Sequence, residues 1–302
     1  EACRHELTRA ERVLQRMSER LDPAALGKWR KTLAEWRGRL TEPASDELYL
    51  GLRRMKRELL LADPALDFSS ILCIDNPYVH GSEAIHEIRH RNEDTATPGG
   101  RLLVLDGLRP DGKVRKLAPQ GAPAAFWRPD VSFDGQRTLF CMKSSDQPAY
   151  HLYEVGLDGT GWRQITDGDY NDLDPIYAPD GAIIFSTSRC NHYLRCGGSK
   201  FRMFILARCD RDGKNIYFIS ANNEADYLPS FLPDGRLIYT RWEYVDKDVL
   251  RVQSLWTVNP DGTGASAFWG NQSKWPDMLL NPRAIPGSTN VVFNACGHHD
   301  AY

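Results

Sequence analysis

Over residues 5–61 the apolar side chains recur at alternating steps of three and four: Leu7, Ala10, Leu14, Met17 and Leu21, then Leu26, Trp29, Leu33, Trp36 and Leu40, then Leu48, Leu52, Met55 and Leu59. That spacing lays one apolar stripe along each of three helices. The pattern breaks at Asp22-Pro23, where Asp22 suits an N-cap and Pro23 the first helical position, and again at Ser45, which precedes the acids Asp46 and Glu47. The first two helices read as an antiparallel hairpin. Their stripes are expected to be packing faces rather than partner surfaces.

From Ile71 onward the period changes to that of strands, and two signatures alternate. One is a Pro, alternating residues, Asp-Gly and an apolar strand, as in Pro129 to Asp134-Gly135, Pro175 to Asp180-Gly181 and Pro229 to Asp234-Gly235, with a weaker copy from Pro282 to Pro286-Gly287. The other is an apolar strand followed by Asp111-Gly112, Asp158-Gly159, Asp212-Gly213 or Asp261-Gly262. Both ladders advance together by about fifty residues, the length of a four-stranded repeat. Asp-Gly between apolar strands is a hairpin signal, so two hairpins per repeat make four strands. Such units bury both faces against their neighbours, which is the plan of a β-propeller. The fold class expected is therefore mainly β, with four to five blades and an N-terminal helical segment. The boundaries expected are 1–66 for the helices and 67–302 for the blades. The chain ends just after a strand of the last blade, which reads as a propeller cut short or closed by a partner.

Composition changes this picture little. Lys+Arg 38 against Asp+Glu 40 gives a formal net charge of −2, which does not suggest a nucleic-acid partner. No apolar run approaches the roughly 20 residues a helical membrane span needs. Seven cysteines, scattered without C-x-x-C pairs, indicate neither a zinc ribbon nor a dense disulfide framework.

Particular runs resemble the middle domain of the hydrazine synthase alpha subunit family, a TolB-like propeller. They are Pro229-Ser230-Phe231-Leu232-Pro233-Asp234-Gly235-Arg236-Leu237-Ile238-Tyr239-Thr240-Arg241-Trp242-Glu243-Tyr244-Val245-Asp246, Leu255-Trp256-Thr257-Val258-Asn259-Pro260-Asp261-Gly262-Thr263, Gly270-Asn271-Gln272-Ser273, Arg283-Ala284-Ile285-Pro286-Gly287-Ser288, Gly297-His298-His299, and upstream Ala62-Asp63-Pro64-Ala65-Leu66-Asp67-Phe68. The resemblance covers most of residues 48–302. It implies an exported, periplasmic protein with a redox or protein partner. It also implies a zinc or haem-iron site that takes a Cys at a position like Cys190 and a carboxylate from the segment before the blades, for which Glu83, Glu87, Glu93 and Asp94 are candidates. No C-x-x-C-H occurs in this chain, so the resemblance does not extend to a covalent c-type haem.

Three stretches could carry chemistry. His86-Glu87-Ile88-Arg89-His90, downstream of His80, matches the short form of a helical zinc motif, in which His86 and His90 would share one metal; a loop of ordinary histidines is the alternative. The run from Ser188 to Gly198 interrupts a blade, and its Cys190 and Cys196 could close a small disulfide or leave Cys190 as a metal ligand. His298 and His299 are adjacent, so in a strand they would point to opposite faces, and one of them could ligate. The metal set expected is thus His86, His90, Cys190, His298 and His299, around zinc or haem iron. Trp242, Tyr244, Trp269 and Trp275 read as blade-packing aromatics, with a carbohydrate platform as the alternative. Two other readings stay open: a metal-dependent polysaccharide lyase of the oligogalacturonate-lyase type, and an interaction scaffold without chemistry.

Overall fold

The computed structural model describes residues 1–40, 45–66, 68–77, 97–109, 111–117, 123–195, 202–243, 252–273 and 275–297. The chain forms two compact units, one of Glu1–Ile71 with Leu105–Lys113, the other of Leu72–Val104 with Val114–Tyr302.

The first unit holds α1 (Ala2–Met17), α2 (Pro23–Arg39) and α3 (Asp46–Leu61). Both expected caps are present. Asp22 accepts hydrogen bonds from the backbone N–H groups of Ala24 and Ala25, and Ser45 accepts one from Leu48, so orphan donors of each first turn are satisfied. The stripes of α1 and α3 are buried, whereas on α2 only Leu33 is, with Leu26, Trp29, Trp36 and Leu40 half-covered. Periodicity did not reveal the polar exception inside this bundle: Glu6 is buried on α1 and is held by Lys56 and Arg9. Those hydrogen bonds and charges keep its carboxyl below the usual carboxylate range, Lys56 contributing most.

The remaining strands form successive blades. β1 (Ser70–Asp75), β2 (Arg101–Asp106) and β3 (Lys113–Lys116) make a three-stranded sheet in the order β1-β2-β3. β4 (Ala124–Val131), β5 (Arg137–Ser144), β6 (His151–Gly156) and β7 (Arg163–Gln164) make the second blade, an antiparallel meander. β8 (Asp172–Tyr177), β9 (Ile183–Thr187), β10 (Ile205–Cys209) and β11 (Tyr217–Phe218) make the third. The fourth is β12 (Asp226–Phe231), β13 (Leu237–Trp242), β14 (Gln253–Val258) and β15 (Ser266–Trp269). A fifth begins with β16 (Met278–Ala284) and β17 (Val291–Cys296), joined to the fourth by a single parallel bridge between Gln253 and Met278. The mainly β propeller expected from the repeats is the fold observed.

The seven Asp-Gly pairs of the two ladders all fall in the turns between consecutive strands, and in six of them the glycine has φ between +67° and +89°. Neighbouring sheets bury apolar residues between them. One cluster joins Leu139, Leu152 and Ile165 of the second blade to Leu173, Ile183 and Phe185 of the third. Another joins Ile184, Leu206 and Ile219 to Leu237, Tyr239 and Val258 of the fourth, and a third joins Ile238 and Leu255 to Leu279 and Phe293 of the fifth. A sheet buried on both faces is stable only beside copies of itself, which is why the apolar pattern repeats blade by blade.

Trp242 is buried as expected, but Trp269 and Trp275 are 47% and 65% exposed. Trp269, on the outermost strand of its blade, still packs across the blade boundary, its ring centroid 5.7 Å from that of Phe293 in the fifth blade, whereas Trp275 follows that strand in a bend and is exposed. Tyr244 lies outside the described residues.

Candidate functional site

The Pro of the first ladder marks a repeated kink in each innermost strand. A bulge interrupts the pairing between Trp127 and Asp130, Leu173 and Ile176, Tyr227 and Ser230, and Leu280 and Arg283. The residue before each Pro, namely Arg128, Asp174, Leu228 and Asn281, has φ between +40° and +57°. Bulges of this kind re-aim side chains, and here they bring residues of four blades together. The Arg128 guanidinium donates to the Asn281 amide oxygen of the fifth blade and lies 3.7 Å from Asp174 of the third. Asp174 is the hub. Its carboxylate accepts hydrogen bonds from the Trp127 indole (3.2 Å), the Ser186 hydroxyl (2.8 Å) and the Leu228 backbone N–H (3.3 Å). A carboxylate so fully engaged is a clasp rather than a base. Nearby, Asp130 accepts from the Tyr177 N–H at 3.0 Å, and burial raises its carboxyl despite that bond and the charges of Arg283 and Arg128.

A second polar layer lies where each inner strand starts. In the third blade Asp172 accepts from the Thr187 hydroxyl at 2.6 Å and from Arg189 Nε and Nη2 at 3.3 and 2.7 Å. Beside it His151 is almost wholly buried with Nδ1 unpartnered, and that burial lowers its pKa, keeping the imidazole neutral around pH 7. In the fourth blade Asp226 takes the same place, bonded by Asn222 at 3.1 Å and by Ser220, with Arg241 Nε at 3.7 Å. Neither aspartate stood out in the sequence, although each precedes its ladder Pro by three positions.

Of the expected metal ligands, only Cys190 is among the described residues; His86, His90, His298 and His299 lie outside them, as do His80, Glu83, Glu87, Glu93, Asp94 and Cys196. Cys190 is a free thiol, half-buried, and donates to the Met203 carbonyl at 3.4 Å. Burial pushes its pKa up, so it rests as the thiol. Cys190 packs on a cluster that includes Met203, Tyr227, Trp242, Met278 and Leu280, and Cys296 packs on the same cluster. Cys190 also borders an open cleft of about 600 Å³ with His192, Met203, Phe218, Asn222 and Asp261. Among the described residues no three His, Cys, Asp or Glu side chains converge as a metal site. Of the ligands expected for zinc or haem iron, the described residues include Cys190 alone. No described helix is long and apolar enough to cross a membrane.

No protein-family model matches the chain, and no curated protein matches it in sequence. Among solved structures, hydrazine synthase from Kuenenia stuttgartiensis matches over 76% of this chain with a TM-score of 0.62 and 17% identity. A putative TolB from Agrobacterium tumefaciens matches over 66% of this chain and 59% of its own, with a TM-score of 0.44 and 18% identity. An oligogalacturonate lyase in complex with manganese matches over 60% of this chain and 50% of its own, with a TM-score of 0.43 and 14% identity. The present chain spans 36% of the length of the hydrazine synthase chain. At these identities the likeness is one of fold. By fold, the chain is a β-propeller similar to that of hydrazine synthase.

Proposed function

We propose that the chain is a periplasmic propeller module resembling that of the hydrazine synthase alpha subunit, and that it scaffolds a zinc or haem-iron site to which Cys190 and His298 contribute. The observation that carries this reading is that Cys190, from the insertion in the third blade, and Cys296, at the end of β17, pack on one apolar cluster. His298 follows Cys296 by two residues, so chain connectivity keeps their Cα atoms within about 7 Å. Thiolate and imidazole together suit zinc or iron better than a hard cation. His299, His86 and His90 are further candidate ligands on the same reading, and a redox or protein partner would meet the module at this end. Binding would displace the Cys190 proton, which burial now holds in place, so uptake should weaken as pH falls.

Elemental analysis of the purified protein beside Cys190→Ala and His298→Ala tests it. The expected result is a stoichiometric transition metal that both substitutions reduce. Metal-free wild-type protein, or uptake indifferent to both changes, would sink the site and leave an interaction scaffold as the better reading.

A further inference from the structure

The grooves between neighbouring blades are built from equivalent parts, and one of them differs from its predecessor in a way that points to a ligand. Between the second and third blades, the Asp212-Gly213 turn seats against Ile165, and Lys214 Nζ lies 3.0 Å from Asp212 Oδ2. The strand position facing that groove is Gln164, paired with Tyr153. Between the third and fourth blades, the Asp261-Gly262 turn meets Ile219, Thr263 stands where Lys214 stood, and the strand position is Phe218, paired with Ala207. Thr263 donates to Asp261 Oδ1 twice, from N at 2.9 Å and from Oγ1 at 2.7 Å. These bonds hold the Asp261 carboxyl below its ordinary range, and no described side chain takes Oδ2.

The result is the open cleft of about 600 Å³, a volume within the usual range for small-molecule sites. Met203 and Ile205 are buried in its wall, and the Phe218 ring is 48% exposed. Of the twelve described residues that line it, none is Lys or Arg, His192 is the one imidazole and Asp261 the one carboxylate. Behind the lining residues Ser220 and Asn222 sits Asp226, wholly buried, with Oδ2 unpartnered. Its counter-charge Arg241 is turned to the Ala221 carbonyl and the Trp256 ring. An aromatic face beside an ionised carboxylate, without a competing cation, is the chemistry that recognises an organic cation.

We infer that the cleft between the third and fourth blades binds an organic cation, a guanidinium or ammonium group on a short apolar stem, with its charge on Asp261 and its stem against Phe218, Met203 and Ile205. The inference does not rest on the metal reading, although Cys190 lines the same cleft, so the protein is tested free of metal. Titration calorimetry of the chelator-treated protein with butylguanidinium and its uncharged isostere butylurea tests it. Butylguanidinium should bind at least ten-fold more tightly than butylurea. Asp261→Asn should abolish that preference, Phe218→Ala should weaken both ligands, and Asp212→Asn should change neither. Thr263→Lys, which copies the closed groove on an exposed turn, should also abolish the preference while leaving the melting temperature unchanged. Equal affinity for the two probes, no binding of either, or a preference that survives both Asp261→Asn and Thr263→Lys would overturn the inference.

Discussion

The joint between the second and third blades and the joint between the third and fourth follow one plan with unequal completeness. In both, a hydroxyl at the end of the preceding outer strand accepts a backbone N–H, Thr166 from Leu152 at 3.0 Å and Ser220 from Leu206 at 2.9 Å. In both, an arginine reaches back to the next carbonyl, Arg189 to Asp167 at 2.9 Å and Arg241 to Ala221 at 2.7 Å. Each guanidinium lies over an aromatic ring, Tyr170 at 5.3 Å and Trp256 at 4.7 Å. The difference is where the arginine starts. Arg241 stands directly across from Asp226 in the ladder, while Thr187 stands across from Asp172 and Arg189 comes two residues later. The later start lets Thr187 bond Asp172 and lets Arg189 approach it with two nitrogens. Arg241, starting too close, stays 3.7 Å from Asp226 and leaves Oδ2 bare. A repeat can thus keep its chain path and lose a clasp through one displaced side chain.

The largest effect should come from breaking the complete clasp. Asp172→Asn leaves a mostly buried guanidinium without its counter-charge, a loss that should outweigh the relief of no longer burying the raised Asp172 carboxylate and cost about 3 kcal/mol in urea unfolding. If Asp172→Asn proves no more costly than Asp226→Asn, the two joints are not unequal in the way the geometry indicates.

The turn glycines give the next contrast. A Cβ at Gly213 (φ +84°) would fall well inside contact distance of the Ile165 carbonyl oxygen, and backbone cannot swing aside as a side chain can. At Gly262 (φ +89°) the nearest atom, Ile219 Cα, would be 3.2 Å away. Left-handed backbone alone costs an alanine roughly 1–2 kcal/mol, so Gly262→Ala should lose about that much and Gly213→Ala about 3 kcal/mol. Equal losses in thermal unfolding would mean that the third blade's turn is no more tightly seated than the fourth's.

The blades, their turns and the helix caps were legible in the sequence because each depends on neighbours along the chain: Asp22 caps its own helix, and Asp180-Gly181 turns its own hairpin. The joints were not, because their quality depends on what stands across a blade boundary. Nothing local in Asp226-Tyr227-Leu228-Pro229 says that its arginine starts two residues early. The axial clasp of Arg128, Asp174 and Asn281 was half visible, since the ladder Pro was noted but not the residue before it. The packing expectation held for Trp269, which meets Phe293 across the blade boundary, but not for the exposed Trp275, which lies beyond β15 where strand pattern says nothing. Of the five ligands expected, Cys190 alone lies among the described residues, bordering a cleft that spacing did not foretell.

The smallest effect is a dependence on pH at the incomplete clasp, although burial raises the Asp172 carboxyl of the complete clasp as well, against the pull of Arg189 and Thr187. Asp226 is wholly buried, and that burial pushes its pKa up to about 6 against the opposing pull of Arg241, Ser220 and Asn222, with the Glu243 charge adding to the rise. No second charge on the groove side compensates, since residues 219–222 facing it are Ile, Ser, Ala and Asn. A carboxyl whose folded pKa lies above its unfolded value of 3.8 binds protons more readily in the native state. Its ionisation therefore opposes folding, and the native state gains stability as pH falls through about 6 toward 4. Between pH 7.5 and 5 that gain amounts to about 1–1.5 kcal/mol. Other groups titrate in the same window, so the measurable quantity is the difference between wild type and Asp226→Asn across unfolding curves at several pH values. The amide keeps an oxygen for Asn222 and Ser220 and carries no charge to bury, so the variant should match or exceed wild-type stability at pH 7.5 and lose that advantage by pH 5. Parallel pH profiles for the two proteins would show that Arg241 already neutralises Asp226 despite standing off at 3.7 Å, and that the two joints are energetically alike.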